Sequence, residues 1–349
     1  MKAAVLYGDM DIRYEDYPTP EIKPGTVKVH VRAAGICGSD IPRVLQHGAH
    51  FYPIILGHEF SGDIVEIGEG VQNRRIGDAV VCVPLIPCLK CVDCLNGNFS
   101  LCKNYSFIGS REQGGFADYV VVPATNTVIC QPGITFEQGA MFEPSTVALH
   151  AIQRNGFQGG SAVAILGGGT IGVFVLQWVK LFGAKKIVVF DIDPCRLSLA
   201  QKLGADMTVN TLDPEFMLKT VEFTGGKGFD DVYETAGKSF TMQLAFEIAA
   251  SKSRICFVGT PNKDLCFTPH QWRNLNRKEF QLAGSWMSYS SPFPGQEWEL
   301  TAHYCATGQL KFNNDLIFKR YPMSSTRQAF ELYLKPEQVK GKIILYNDF

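Results

Sequence analysis

Two cysteine-bearing stretches and one histidine-bearing stretch hold the side chains best suited to chemistry. In PCLKCVDCLNGNFSLC, Cys88, Cys91, Cys94 and Cys102 follow the spacing C-x2-C-x2-C-x7-C. Four thiolates gathered in one loop match a tetrahedral zinc with no coordination position left for a substrate, so the expected role is to staple the loop. An iron–sulfur cluster takes ligands at similar spacing, but nothing else in the chain points to electron transfer, and zinc is the reading adopted. In LGHEFSG, His58 and Glu59 stand side by side between glycines, behind the apolar run FYPIIL. An imidazole in that setting is most often a core group with a hydrogen-bond partner and no other duty. A second donor of the right type does exist, since Cys37, in AAGICGSDIP, lies 21 residues earlier.

A fourth stretch suits a phosphate. AVAILGGGTIGVFVLQ carries Gly167-x-Gly169-x-x-Gly172 directly after a strand-like run and at the start of a helix-like one. Such glycines permit a tight turn and close backbone approach, so that a pyrophosphate rests on the helix N-terminus. The motif alone is weak; its context is not, because Asp191 closes the next strand-like run, KIVVFD. An acid there accepts hydrogen bonds from the adenosine ribose and repels a 2′-phosphate, which favours NAD. Arg196, five residues on, keeps NADP in view.

The elements that must position these groups fall into two textures. The first part of the chain is β-rich and punctuated by glycine and proline: TVKVHVRAAGI alternates like a half-buried strand, and GDAVVCVP and FADYVVVP read as strands bounded by turn residues. No helical period is sustained before about Phe136. From Ala162, β-branched runs (AVAIL, KIVVFD, MTVN, FDDVYET, RICFVG, FQLAGS) alternate with helical segments, the signature of a parallel, doubly wound α/β sheet. The expected division is a β-rich catalytic domain over 1–148 with its cysteine lobe at about 84–104, a dinucleotide-binding domain over 149–288, and a return to the first domain over 289–349 that ends in the strand pattern GKIILYN.

Composition narrows the partners. A chain of 349 residues suits two domains. With 33 Lys plus Arg against 34 Asp plus Glu, the net charge of -1 gives no footprint for nucleic acid or an anionic membrane. No apolar run approaches the ~18 residues of a membrane span, and the first residues, MKAAVLYGDMDIRYED, lack a signal-peptide core, so a cytoplasmic protein with reduced thiols is expected.

In this company Cys37 and His58 acquire a meaning. CGSD, GHEFSG, the cysteine lobe, GGFADY, the glycine motif and the final GKIIL occur in one order along nearly the whole chain, and that order resembles the zinc-dependent medium-chain alcohol and polyol dehydrogenases. The stretches GAHFYPIILGHEFSG, YSFIGSREQGGFADY and GSWMSYSSPFPGQEWE narrow the resemblance to the members that oxidise sugar-alcohol phosphates.

The resemblance implies a GroES-like β-rich catalytic domain joined to a Rossmann domain, working as a homodimer or homotetramer. It implies a catalytic zinc held by Cys37, His58 and Glu143, the last in MFEPSTVALHA where many relatives place a second cysteine. Zinc with an open position binds an alcohol oxygen and lowers its pKa, which is what removal of a hydride from a secondary alcohol requires. Glu59 is then an exchangeable fourth ligand or a partner behind the shell, and Asp40 the acceptor for the free nitrogen of His58. Ser39 is the group that takes the alcohol proton. Cofactor contacts are expected from Thr170, Ile171, Val258, Gly259, Ser285 and Lys342, besides the glycines, Asp191 and Arg196.

Pro42 stands where many relatives carry a relay histidine, so proton exit falls to His47, His50 or water. Arg43 and Arg111 are the candidates for a substrate phosphate, because a guanidinium grips phosphate in a bidentate manner. The aromatic run from Trp286 to Trp298 is expected to wall the cleft or to pack in the core or an interface. Oxidation of another polyol phosphate, or of a free polyol (sorbitol-type), is the nearest alternative. A non-catalytic nucleotide-binding relative is a distant one, since Cys37, His58 and Glu143 are all present.

Overall fold

The computed structural model describes residues 1–347. The chain divides into two compact units, one of residues 1–143 with 289 onward, the other Pro144–Ser288.

In the second unit six strands form one parallel sheet in the order Met207–Asn210, Lys186–Asp191, Ala162–Leu166, Phe229–Glu234, Ala249–Phe257, Gln281–Gly284. The order reverses between Ala162–Leu166 and Phe229–Glu234, and a crevice at such a reversal is where doubly wound sheets bind ligands. These strands are covered on both faces and therefore read as continuous apolar runs: Val163, Ala164, Ile165 and Leu166 are all fully buried. The helix Thr170–Leu181 buries Val173, Phe174, Leu176 and Trp178. Its neighbour Pro194–Leu203 starts on Asp193, whose side chain accepts from the amides of Cys195 and Arg196, and stops at Gly204 with φ +100°.

The first unit is mainly antiparallel. Its seven-stranded sheet runs Thr127–Ile129, Ala79–Cys82, Glu59–Ile67, Thr26–Gly35, Lys342–Tyr346, Ile317–Pro322, with Tyr119–Pro123 also paired to Thr26–Gly35. Thr26–Gly35 is buried at most positions rather than every second one, because it is the hub on which three other strands pair. Register decides the site: Gly35 stands opposite Glu59 on one side and opposite Ile344 on the other. The short helix Asp40–Leu45 lies in the stretch before Phe136 where the sequence sustains no helical period. Six residues are too few to display a period.

Among the described residues, no helix is long and apolar enough to cross a membrane.

Candidate active site

The hub strand and its neighbour deliver Cys37, His58 and Glu59 to one place in the first unit. Their ligand atoms all lie within 4.8 Å of one another. Cys37 sits in the turn beyond Gly35, tied by its amide to Asp40 Oδ2 at 3.1 Å, while the amide of Asp40 returns to the carbonyl of Cys37 at 3.0 Å. Asp40 is completely buried, and its Oδ1 lies 3.3 Å from His58 Nδ1. That leaves the other ring nitrogen of His58 as the one able to take a metal ion. Burial alone would push the pKa of His58 down; Asp40 and then Cys37 outweigh it and hold the imidazole well above its ordinary value.

Glu59 faces Lys342, from the closing strand, in a buried ion pair, and the ammonium also donates to the carbonyl of Ile36 at 3.0 Å. Gly35 makes room for this pair, since a Cβ there would lie 2.5 Å from Glu59 Oε2 and 2.8 Å from Lys342 Cε. Lys342, named above among the cofactor contacts, lies in the first unit as the partner of Glu59. Glu143, in the first turn of the helix Phe142–Arg154, is not one of the close trio, but it is buried within electrostatic reach of it. Burial and then the charge of Glu59 push its pKa up to about 7, with His58 and Lys342 pulling the other way.

A thiol, an imidazole and the Glu59 carboxylate around one point, with the buried Glu143 in electrostatic reach, form a donor set that fits zinc. Among the described residues, His58 Nδ1 and Glu59 Oε2 are buried with charged neighbours but without a hydrogen bond of ordinary geometry, as in a polar cluster built around something more than itself.

The cysteine lobe gathers Cys88, Cys91, Cys94 and Cys102 with all four sulfurs within 4.8 Å of one another and none in a disulfide. Cys88 Sγ lies 4.0 Å from Cys94 Sγ, against about 3.8 Å for the edge of a tetrahedron with zinc–sulfur bonds of ~2.3 Å. Backbone amides, Lys90's first, pull Cys88 down to about 6, whereas burial lifts Cys94 to about 12. Paired thiol and thiolate of this kind are what a cation would draw into a single charge state. Cys94→Ser is expected to lose the metal of the lobe and to lower the unfolding midpoint by about 5 °C or more. Metal analysis and a thermal scan check it, and an unchanged metal content would refute the assignment.

In the second unit the glycine turn has the shape its spacing predicts. Gly167 has φ +110°, and a Cβ on Gly172 would lie 1.8 Å from the carbonyl oxygen of Gly167, so turn and helix touch backbone to backbone. A Cβ on Gly169 would meet nothing within 4 Å, an open cradle at the helix N-terminus where Thr170 and Ile171 present their amides. Asp191 is engaged by the protein itself: Oδ2 accepts from the amide of Gly168 at 2.7 Å, Oδ1 from the amides of Ile192 and Asp193 at 2.8 and 2.9 Å, and Arg196 stands 3.8 Å away.

Beside these groups opens a cavity of about 420 Å³, lined among others by Gly169, Asp191, Arg196, Thr211, Lys238 and Phe240. Thr211, Lys238 and Phe240 went unnoticed in the sequence because they bear no motif. Val258 and Gly259 follow the fifth strand, their amides bonded to the carbonyl of Glu234 at 2.8 and 3.0 Å. Ser285 follows the sixth, its hydroxyl oxygen buried and without a hydrogen-bond partner among the described residues.

Of the two cationic candidates, Arg43 stands beside the metal trio and Arg111 lies behind two aromatic rings from it. Arg43 Nη1 donates to the carbonyl and hydroxyl oxygens of Ser39 at 2.6 and 2.9 Å, and the Ser39 hydroxyl lies 3.4 Å from Cys37 Sγ. Arg111 covers the ring of Tyr105 at 4.6 Å, Tyr105 packs on Phe107, and Phe107 meets the ring of His58 edge-on at 5.6 Å between centroids. Both arginines act on His50, whose pKa is lowered by burial first and then by Arg111 and Arg43. His47 is drawn elsewhere, 3.3 Å from Asp9 and packed on Tyr52. In the aromatic run, Tyr289 and Trp298 are stacked and buried, while Trp286 is 55% exposed.

Comparison with known proteins agrees with this architecture. Residues 23–132 match the alcohol dehydrogenase GroES-like domain, and residues 170–303 match the zinc-binding dehydrogenase family. The chain is 40% identical to galactitol 1-phosphate 5-dehydrogenase of Escherichia coli (strain K12), over 99% of both chains. The crystal structure of galactitol-1-phosphate dehydrogenase from Escherichia coli superposes with a TM-score of 0.94, covering 99% of this chain and 100% of the other at 40% identity. A zinc-binding dehydrogenase from Sinorhizobium meliloti 1021, bound to NADP, superposes with a TM-score of 0.89 at 27% identity, covering 99% and 98% of the chains. The protein therefore belongs to the zinc-dependent medium-chain dehydrogenases, with a GroES-like unit and a Rossmann unit, and is an oxidoreductase. Its place among them is with the sugar-alcohol dehydrogenases.

Proposed function

We propose that the protein oxidises a secondary hydroxyl of a sugar-alcohol phosphate to the ketose phosphate, using NAD and two zinc ions, one catalytic and one structural. The leading substrate is galactitol 1-phosphate, which would give tagatose 6-phosphate. The observation that carries the phosphate is that Arg43, bonded to Ser39 beside Cys37, and Arg111, on a different segment, both act on His50. A homo-oligomeric enzyme of the cytoplasm is the expected setting.

Cys37 and His58 of the close trio, with the buried Glu143 in electrostatic reach of it, would hold the catalytic ion, and Glu59 would be an exchangeable fourth ligand that Lys342 keeps paired otherwise. When bound, zinc supplies a Lewis acid that makes a hydroxyl acidic, and the nicotinamide supplies the acceptor for a hydride. Asp40 fixes the ring of His58 by occupying its Nδ1 side. Ser39 Oγ receives the substrate proton, held in place by the guanidinium of Arg43. That guanidinium cannot pass the proton on, because it stays charged at any working pH. Of the two histidines considered for proton exit, His50 shares the surroundings of Arg43, and its lowered pKa keeps it neutral and able to accept. Asp191, fixed against the glycine turn, favours NAD over NADP.

Purified protein with galactitol 1-phosphate or galactitol, and with NAD or NADP, tests the reading. High kcat/KM for the phosphate ester with NAD is expected, and equal efficiency on the free polyol would favour the sorbitol-type alternative. Arg111→Ala should raise KM for the phosphorylated substrate about 10-fold or more while sparing the free polyol, since a charge-assisted bond is worth roughly 1.5–3 kcal/mol. Arg43→Ala should raise the same KM and also lower kcat, because it releases Ser39.

A further inference from the structure

Glu234 ends the strand Phe229–Glu234, is completely buried, and has no part in the chemistry above. Its Oε1 accepts from the amides of Ala236 at 3.0 Å and Gly237 at 2.9 Å and from the hydroxyl of Thr241 at 2.7 Å. These donors lie in the loop leaving the strand and in the first turn of the helix Ser239–Ile248. The side chain thus supplies a resident anion at a helix N-terminus. Its Oε2 has no hydrogen-bond partner among the described residues and lies 2.6 Å from where a Cβ on Gly259 would be. The same imagined Cβ would lie 2.2 Å from the amide nitrogen of Gly237, so the loops after the fourth and fifth strands touch backbone to backbone over this carboxylate. The next residue ties in a third loop: Thr235 Oγ1 reaches the carbonyl oxygens of Leu166 and Gly167 at 3.1 and 3.0 Å.

A buried carboxylate with one oxygen unpaired is expensive for the fold, and burial shows its cost by raising the pKa against the pull of the surrounding donors. The return is the shape of the loop. Thr235, Ala236, Lys238 and Thr241 all line the 420 Å³ cavity, and three of the donors to Glu234 belong to that segment.

We propose that Glu234 is a positioning residue for the dinucleotide: it locks the loop over 235–238 against the Gly259 turn, so that the cavity wall stands before the cofactor arrives. The proposal rests on reading the cavity as the dinucleotide site. No contact between Glu234 and the cofactor is involved. The effect is preorganisation, which appears as affinity.

NADH titration and steady-state kinetics of the full-length Glu234→Gln enzyme test it. A glutamine keeps one acceptor for the loop amides but presents its NH2 group to the crowded Gly259 turn, where the carboxylate oxygen has no hydrogen-bond partner among the described residues. NADH Kd and the KM for NAD are expected to rise together at least 10-fold, with kcat at saturating NAD and the KM for the polyol within about twofold. Thr241→Val should move Kd the same way by a smaller factor, and Thr241→Ser, which keeps the hydroxyl, should restore it. If Glu234→Gln does not fold, the threonine pair and amide exchange in the wild-type enzyme decide, with Ala236 and Gly237 expected among the slow amides of the loop. An NADH Kd within twofold of wild type, kcat falling as far as affinity, or fast exchange at both amides overturns the proposal. Wild-type protein that binds neither NADH nor NADPH overturns the dinucleotide reading and this proposal together.

Discussion

Replacing His58 by alanine is expected to cut kcat by at least about 100-fold, because even the residues behind a metal ligand typically matter by 10- to 100-fold. The substitution removes the imidazole from the Cys37–His58–Glu59 group and leaves the buried Asp40 Oδ1, which has no hydrogen bond among the described residues, without the ring that now stands 3.3 Å away and with only Arg43 at 3.6 Å. Both effects fall on the first unit. NADH affinity, which depends on the second, should change little. Turnover measured alongside zinc content and NADH Kd checks the expectation: loss of the catalytic metal and of rate with cofactor binding intact is the expected pattern. Glu143→Ala should follow it. Full rate in both variants would mean that the proposed ligand set is wrong.

The glycine turn should show an equally large effect on cofactor binding. Gly172→Ala places a methyl group 1.8 Å from the carbonyl oxygen of Gly167 and 3.2 Å from Thr235 Oγ1. Neither side can yield easily, since Gly167 is itself pinned at φ +110° between two loops. Overpacking of this kind typically costs 1–3 kcal/mol, and here it also forces the helix Thr170–Leu181 away from the turn. NADH Kd is expected to rise more than about 10-fold, together with a lower unfolding midpoint. Gly169→Ala separates the two consequences. Its φ of -71° suits any residue and its Cβ would meet nothing, so the fold should keep its stability, while the methyl group fills the cradle left for a phosphate. A calorimetric scan and an NADH titration on both variants would show it. Equal destabilisation in the two would contradict the geometry.

The parts of this protein legible in its sequence are those whose residues act on near neighbours in the chain. Four cysteines within fifteen residues can meet in one lobe whatever the rest of the chain does. The glycines of the turn work within a single strand–turn–helix unit. The six strands of the second unit announced themselves as apolar runs because a parallel sheet buries both faces. Where local pattern was thin, the reading was thin too: the six-residue helix carrying Asp40 and Arg43 left no period to find.

The sequence by itself thus determined the donor types, the two textures of the chain and, through motif order, the family. The tertiary structure alone decided which distant side chains became partners. It set Lys342 on Glu59, through a closing strand whose register places Ile344 beside Gly35 and Gly35 beside Glu59. It linked Arg111 to His58 only through the rings of Tyr105 and Phe107, and it buried Glu234 beneath the loop over 235–238. Each of these depends on strand register or on packing between segments far apart in the chain. A shift of one residue in either would turn the same side chains to the opposite face.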